Sequence, residues 1–251
     1  MTLSFMSYAV VCALVFLAGF IDAVAGGGGL ISLPAYMMTG MPAHLAVGTN
    51  KLSSAIGTVV STTRYIKKGF VIWKIAAPSA VLSIVGSAVG ANLALMVDDK
   101  VLTYVMLVIL PLTATAVFLK KDIETAREVP QSIMMIVSLG AALLIGMYDG
   151  FYGPGTGTFM ILALTGLAGM NAEAAAGNTK IMNLSSNIAA LVTFIINGKI
   201  LYPLGLAAAV FSVLGHYTGS SLVITNGKKI MRPAIIIVLI IMIVKILWEK
   251  L

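Results

Sequence analysis

Residues 22–29 read DAVAGGGG, and residues 149–157 read DGFYGPGTG. Each stretch places an aspartate at the end of an apolar run and follows it with a glycine-rich break. At an offset of 127, Asp22 falls on Asp149, Gly26 on Gly153 and Gly28 on Gly155. Downstream, GTNK at 48–51 falls on GNTK at 177–180 at an offset of 129. The same offset pairs Gly69 with Gly198, Gly86 with Gly215 and Gly90 with Gly219. A two-residue insertion between break and lysine reconciles the offsets. A motif that recurs with its spacing reads as an internal duplication. It divides the chain into a first repeat at 1–119, a polar connector at 120–130 (KKDIETAREVP) and a second repeat at 131–251.

The surroundings of these motifs fix the solvent. Of the 251 residues, 59% are hydrophobic and 10% charged, and the mean hydropathy is +1.04. Soluble domains carry about a quarter charged residues, so the solvent is lipid. Uncharged stretches at Met1–Ile21, Val101–Leu119, Val129–Tyr148 and Ile200–Thr225 approach or exceed the roughly 20 residues that a bilayer crossing needs. They read as helices, because an open strand leaves backbone groups unpaired in hydrocarbon and no barrel-like alternation is present. The expected fold is an all-α polytopic membrane protein of two homologous repeats. Each repeat would hold about four transmembrane helices plus a glycine-broken short helix.

The first segment resembles a secretory signal, with Ala23-Val24-Ala25 as a cleavage-like site. It has no basic residue before the apolar run and meets Asp22 at its end, so it reads as a mature helix. Cys12, the single cysteine, lies within it and forms no disulfide or metal framework. The net charge of +7 comes mainly from short loops, which reads as membrane topology rather than nucleic-acid binding.

After each break comes an apolar piece too short to span alone, Leu30–Thr39 and Phe159–Ala168, read as a half-helix or re-entrant segment. Longer segments follow at 44–63, 75–97 and 101–119, then at 172–196, 200–224 and 233–248. Basic residues cluster at Arg64, Lys67, Lys68 and Lys74 in one half, whereas the equivalent loop of the other half has only Lys199. The bias reverses at Lys100 against Lys228, Lys229 and Arg232. Under the positive-inside rule this swap points to inverted halves. A parallel pair with four crossings each is the alternative.

The repeated polar residues carry the chemistry. A charged side chain in the bilayer costs about 2.5–3.5 kcal/mol, so it is kept for function or pairing. Asp22 and Asp149 read either as groups that cap or pair at the helix break or as gating and proton-coupling residues. Lys51 and Lys180 supply compact positive charge among hydroxyl and amide groups: Thr49, Asn50, Ser53 and Ser54 in one half, Asn178, Thr179 and Asn183 in the other. The alternative is a lysine snorkelling to the interface. In the breaks, Gly27, Gly28 and Gly29, and Gly155, Thr156 and Gly157, let backbone approach a ligand. A following half-helix would turn its positive end toward an anion. For Gly86/Gly90 and Gly215/Gly219 tight helix packing is preferred. His44 and His216 read as hydrogen-bonded structural groups.

An aspartate with its glycine-rich break, followed by GTNK or GNTK, resembles the TauE/SafE family of sulfite exporters, also called TSUP, in both halves and over essentially the whole chain. The resemblance implies an exporter in the inner or plasma membrane, a multi-pass permease for sulfite, sulfonates, thiosulfate or related organic anions. Gly27 opposite Pro154, and Thr49-Asn50 opposite Asn178-Thr179, depart from strict symmetry.

The leading expectation is therefore a secondary transporter, not an enzyme, with a small anion and the lipid bilayer as partners and no nucleic acid. The sequence leaves room for a homo-oligomer. It has no nucleotide-binding loop, no cofactor motif and no metal-ligand cluster. The alternatives are a passive anion channel, a cation- or proton-coupled carrier with the aspartates as ligands, and an intramembrane aspartyl protease, whose carboxylates must share a proton at about 3 Å.

Overall fold

The computed structural model of the chain describes residues 3–102, 104 and 129–226. The spans expected at 101–119 and 233–248, and most of the connector, lie largely or wholly outside them. Every regular element among the described residues is an α-helix. In chain order the main ones are α1 (Phe5–Ala25), α2 (Gly29–Met37), α3 (Ala43–Lys67), α4 (Trp73–Met96), α5 (Gln131–Phe151), α6 (Thr156–Gly166), α7 (Ala172–Ile196) and α8 (Tyr202–Asn226). The succession long, short, long, long thus occurs twice.

Five of these helices are long and apolar enough to cross a membrane: α1, α4, α5, α7 and, over Tyr202–Thr225, α8. With 25 residues α3 is as long as α7, but it is more polar than the other long helices and buries Thr49, Asn50, Lys51, Ser53, Thr58, Ser61 and Thr62. Its polar groups face protein rather than lipid, as irregular or polar membrane segments must. The short helices hold 9 and 11 residues, about 14–17 Å at 1.5 Å per residue, half of a hydrocarbon core. Both begin earlier than expected, at Gly29 rather than Leu30 and at Thr156 rather than Phe159. The long helices before them overrun the aspartates, to Ala25 and Phe151.

The breaks have a local cause. Gly26 takes the left-handed conformation (φ 77°) and caps α1 by donating its N–H to the Asp22 carbonyl. Gly155 takes it (φ 85°) immediately before α6. Side chains rarely adopt these angles, and glycine does so without steric cost.

The two halves are interleaved. The most extensive helix contacts are α4 with α5 and α1 with α8, followed by α3 with α8 and α4 with α7. Gly86 and Gly90 lie against the backbone of Leu143, Met147 and Phe151, and Gly215 and Gly219 against that of Phe16 and Phe20. This is the close backbone approach expected of small-xxx-small pairs. A Gly90→Leu substitution is expected to separate α4 from α5, with loss of a monodisperse peak in size-exclusion chromatography. Gly140→Leu, with nothing within 4 Å of a Cβ placed at that glycine, is expected to leave the peak intact.

Candidate functional site

The helix breaks cross at the centre of the molecule. Thr158 donates its N–H to the Gly26 carbonyl (3.2 Å) and its hydroxyl to the Ala25 carbonyl (2.8 Å). A methyl group at Gly157 would come 2.5 Å from Gly26 Cα, so only glycine permits this approach.

Around the crossing, each lysine reaches an aspartate of the other half. Lys51 on α3 lies 2.8 Å from Asp149 Oδ2 on α5 and donates to Asn187 Oδ1 on α7 at 3.1 Å. Lys180 on α7 lies 2.7 Å from Asp22 Oδ2 on α1 and also donates to the Asp22 backbone carbonyl. Both lysines are 1% exposed and Asp149 is 2% exposed. The sequence reading gives each lysine a positive charge available to a ligand. In the structure each charge is matched, because an isolated ammonium buried away from water is too costly to keep. Each carboxylate is held by its own ammonium, whereas an aspartyl protease needs two carboxylates that share a proton.

A cavity of about 30 Å³ opens between the breaks, and it gathers part of the expected site. Asp22, Lys51 and Asp149 line it, with Asn50, Ser54 and Asn183 from α3 and α7. The starts of the short helices complete the wall with Gly28, Gly29, Thr156 and Gly157. The positive dipole ends of both helix starts therefore stand at the cavity, with most of their first N–H groups already bonded: Gly28 donates to Asp22 Oδ1, Leu30 to the Gly27 carbonyl, Thr156 to that of Gly153 and Thr158 to that of Gly26.

Other expected residues lie elsewhere. Lys180, behind Asp22, is not in the cavity wall. The Thr49 hydroxyl accepts from the Leu201 N–H at 2.9 Å, Ser53 accepts from the Tyr36 hydroxyl at 2.7 Å, and Asn178 donates within its own helix to the Ala174 carbonyl. Thr179 is buried outside the wall, as are Gly27 and Gly155. Consecutive residues of a helix point about 100° apart, so one tetrapeptide cannot turn all four side chains to one cavity. The first glycine of each motif packs instead. Gly48 meets the Lys199 carbonyl and Gly177 meets that of Phe70, two loop positions again 129 apart.

Five polar residues of the wall lie outside the ligand set read from the sequence: Ser32, Thr58, Asn187, Ser212 and His216. Asn187 and Thr58 share the 129 offset, one helical register below Asn183 and Ser54, which is the signal that finds them. His216, next to the repeated Gly215 and equivalent to Ser87, breaks the symmetry and gives no such signal.

Comparison with known proteins agrees with this architecture. A sequence model of the family described as sulfite exporter TauE/SafE matches residues 11–246. A "Probable membrane transporter protein" of Haemophilus influenzae is 37% identical over 240 residues, 94% of this chain and 92% of that one. "Probable membrane transporter protein ORF9" of Sinorhizobium sp is 36% identical over 232 residues, 92% and 89% of the two chains. "Probable membrane transporter protein YfcA" of Escherichia coli K12 is 35% identical over 234 residues, 93% and 87%. No solved structure matches. With helices of spanning length, two crossed helix breaks and relatives aligned nearly end to end, the chain belongs to the TauE/SafE sulfite exporter family and is a multi-pass membrane transporter of the cell membrane.

Proposed function

We propose that this transporter carries a small sulfur-containing oxyanion, such as sulfite, thiosulfate or a small sulfonate, through the cavity between the helix breaks. The observation that carries the reading is the composition of that wall: beside the two lysine-paired carboxylates stand one ammonium, several hydroxyl and amide groups, and two helix starts. Helix starts and hydrogen-bond donors are what an oxyanion's several acceptor oxygens require. The volume, about 30 Å³, is room for about two waters, which favours an ion of few atoms over a bulky organic acid. On this reading the two repeats, 1–119 and 131–251, are homologous and oppositely inserted, and alternating access comes from one half rocking against the other. Asp22 and Asp149 then hold the lysines and gate the movement. Transport draws on gradients, since no nucleotide-binding motif is present.

The test is flux into proteoliposomes for sulfite, thiosulfate, taurine, sulfoacetate and chloride. Saturable flux is expected for the small sulfur oxyanions and not for chloride. An Asn183→Leu/Asn187→Leu variant, which removes two amide groups from the wall, is expected to lower it at least about tenfold, from the loss of two hydrogen-bonding groups at about 1 kcal/mol each. Non-saturating flux would mark a channel, and no flux of any of the five would sink the anion reading.

A further inference from the structure

The four charges at the centre, Asp22, Lys180, Asp149 and Lys51, cancel. An anion entering a neutral, largely buried cavity brings a charge that nothing there compensates, and an uncompensated buried charge is strongly disfavoured. A compensating proton needs a basic atom that is not already committed. The carboxylates are committed: a proton on either would leave its lysine, 2.7–2.8 Å away, unmatched.

His216 on α8 offers the basic atom. The imidazole is 2% exposed and lines the cavity. Ser61 on α3 lies within reach of both the Thr58 carbonyl at 3.2 Å and His216 Nδ1 at 3.0 Å; with the hydroxyl proton on the carbonyl, the oxygen accepts from Nδ1–H. That fixes the tautomer, because the bond made by one ring nitrogen decides the state of the other. Nε2 is left with its lone pair, facing Asp22 Oδ2 at 3.8 Å, beyond hydrogen-bond range. Among the described residues it has no hydrogen-bond partner.

The ring sits in a slot that two other helices leave open. A methyl group at Gly57 on α3 would come 2.5 Å from His216 Cδ2, and one at Gly19 on α1 would come 3.1 Å from it. The other half has nothing comparable. Ser87 stands at the equivalent position and donates to the Ser186 carbonyl at 2.6 Å, and Ser186 stands where Gly57 would be. The charged groups around His216 are Asp22 from α1 and, through the same carboxylate, Lys180 from α7. Arg64, farther along α3, turns to Tyr217 and Ser221.

We propose that His216 is the proton-binding residue that accompanies the anion: a proton from water adds to Nε2, Nδ1–H stays on Ser61, and the imidazolium balances the bound anion. The inference rests on the anion reading above and adds that proton and anion bind together, through one half of the molecule only. It is tested by titration calorimetry of thiosulfate and methanesulfonate, neither of which titrates near neutrality, into the full-length protein in nanodiscs. Buffers of different ionisation enthalpy, from pH 5.5 to 8, report protons taken up per anion bound. The wild type is expected to take up about one at its maximum. In His216→Gln any residual binding should take up none. Anion binding by the wild type without proton uptake overturns the proposal and leaves the anion reading standing. That measurement needs no variant to fold. Proton uptake that persists in His216→Gln also overturns it. If thiosulfate, methanesulfonate and sulfite all fail to bind, the anion reading falls and takes this proposal with it.

Discussion

Lys51→Met is expected to bring anion flux to background, a loss on the order of 100-fold from removing one hydrogen-bonded charge of a buried set. It also leaves Asp149, 2% exposed, without the ammonium that lies 2.8 Å from it. Deleting one partner of a buried ion pair costs about 3–5 kcal/mol, which should lower the unfolding temperature by on the order of 10 °C. The double substitution Lys51→Met/Asp149→Leu separates the two effects. Replacing both partners by apolar groups of similar size is often neutral for stability, so the double variant is expected to recover the unfolding temperature and not the flux. The measurements are a thermal-unfolding scan of the purified protein and proteoliposome flux of sulfite and thiosulfate. Recovery of flux in the double variant would reduce the pair to a structural clamp. Full flux in Lys51→Met alone would remove the lysine from the site.

How the lysines and aspartates are joined is also where the sequence stops being legible. The offsets of 127 and 129 mark Asp22, Asp149, Lys51 and Lys180 as equivalent pairs, and hydropathy marks the helices that carry them. Nothing in either pattern says that Lys51 faces Asp149 rather than Asp22. That choice comes from packing α4 on α5 and α1 on α8, contacts between elements distant in the chain. The same holds for the motif glycines. The last three residues of GTNK and of GNTK read as ligands together, yet Thr49 accepts a backbone N–H and Asn178 donates within its own helix, while the motif glycines Gly48 and Gly177 pack against loops of the other half. In a helix the 3.6-residue turn parcels a tetrapeptide out to different neighbours. His216 reads from the sequence only as a hydrogen-bonded structural group, for the opposite reason. Repetition was the criterion, and the histidine matters through having no counterpart, in a slot made by Gly19 and Gly57 on two other helices.

The glycine crossing is where the second large effect is expected. At Gly157 a methyl group would lie 2.5 Å from Gly26 Cα and 2.7 Å from its carbonyl oxygen. These are backbone atoms, with no flexible side chain to move aside. Overpacking of this kind costs about 1–3 kcal/mol. At Gly26 the same crowding meets a φ of 77°, and a side chain in that conformation adds roughly 1–2 kcal/mol. Gly26→Ala is therefore expected to be the more damaging of the two, and both are expected to lower flux by more than tenfold, about the effect of 1.4 kcal/mol or more at the site. Gly166→Ala, at the far end of α6 with nothing within 4 Å, should match the wild type. The informative comparison is flux against unfolding temperature for Gly157→Ala. If both fall together, the crossing is a scaffold that holds the helix starts around the anion. If the variant stays folded at an unchanged temperature and flux is lost, the added methyl obstructs a movement rather than a structure. The crossing would then be the pivot on which one half rocks against the other, because Thr158 bonds across it to Ala25 and Gly26 and ties the two breaks into a single joint.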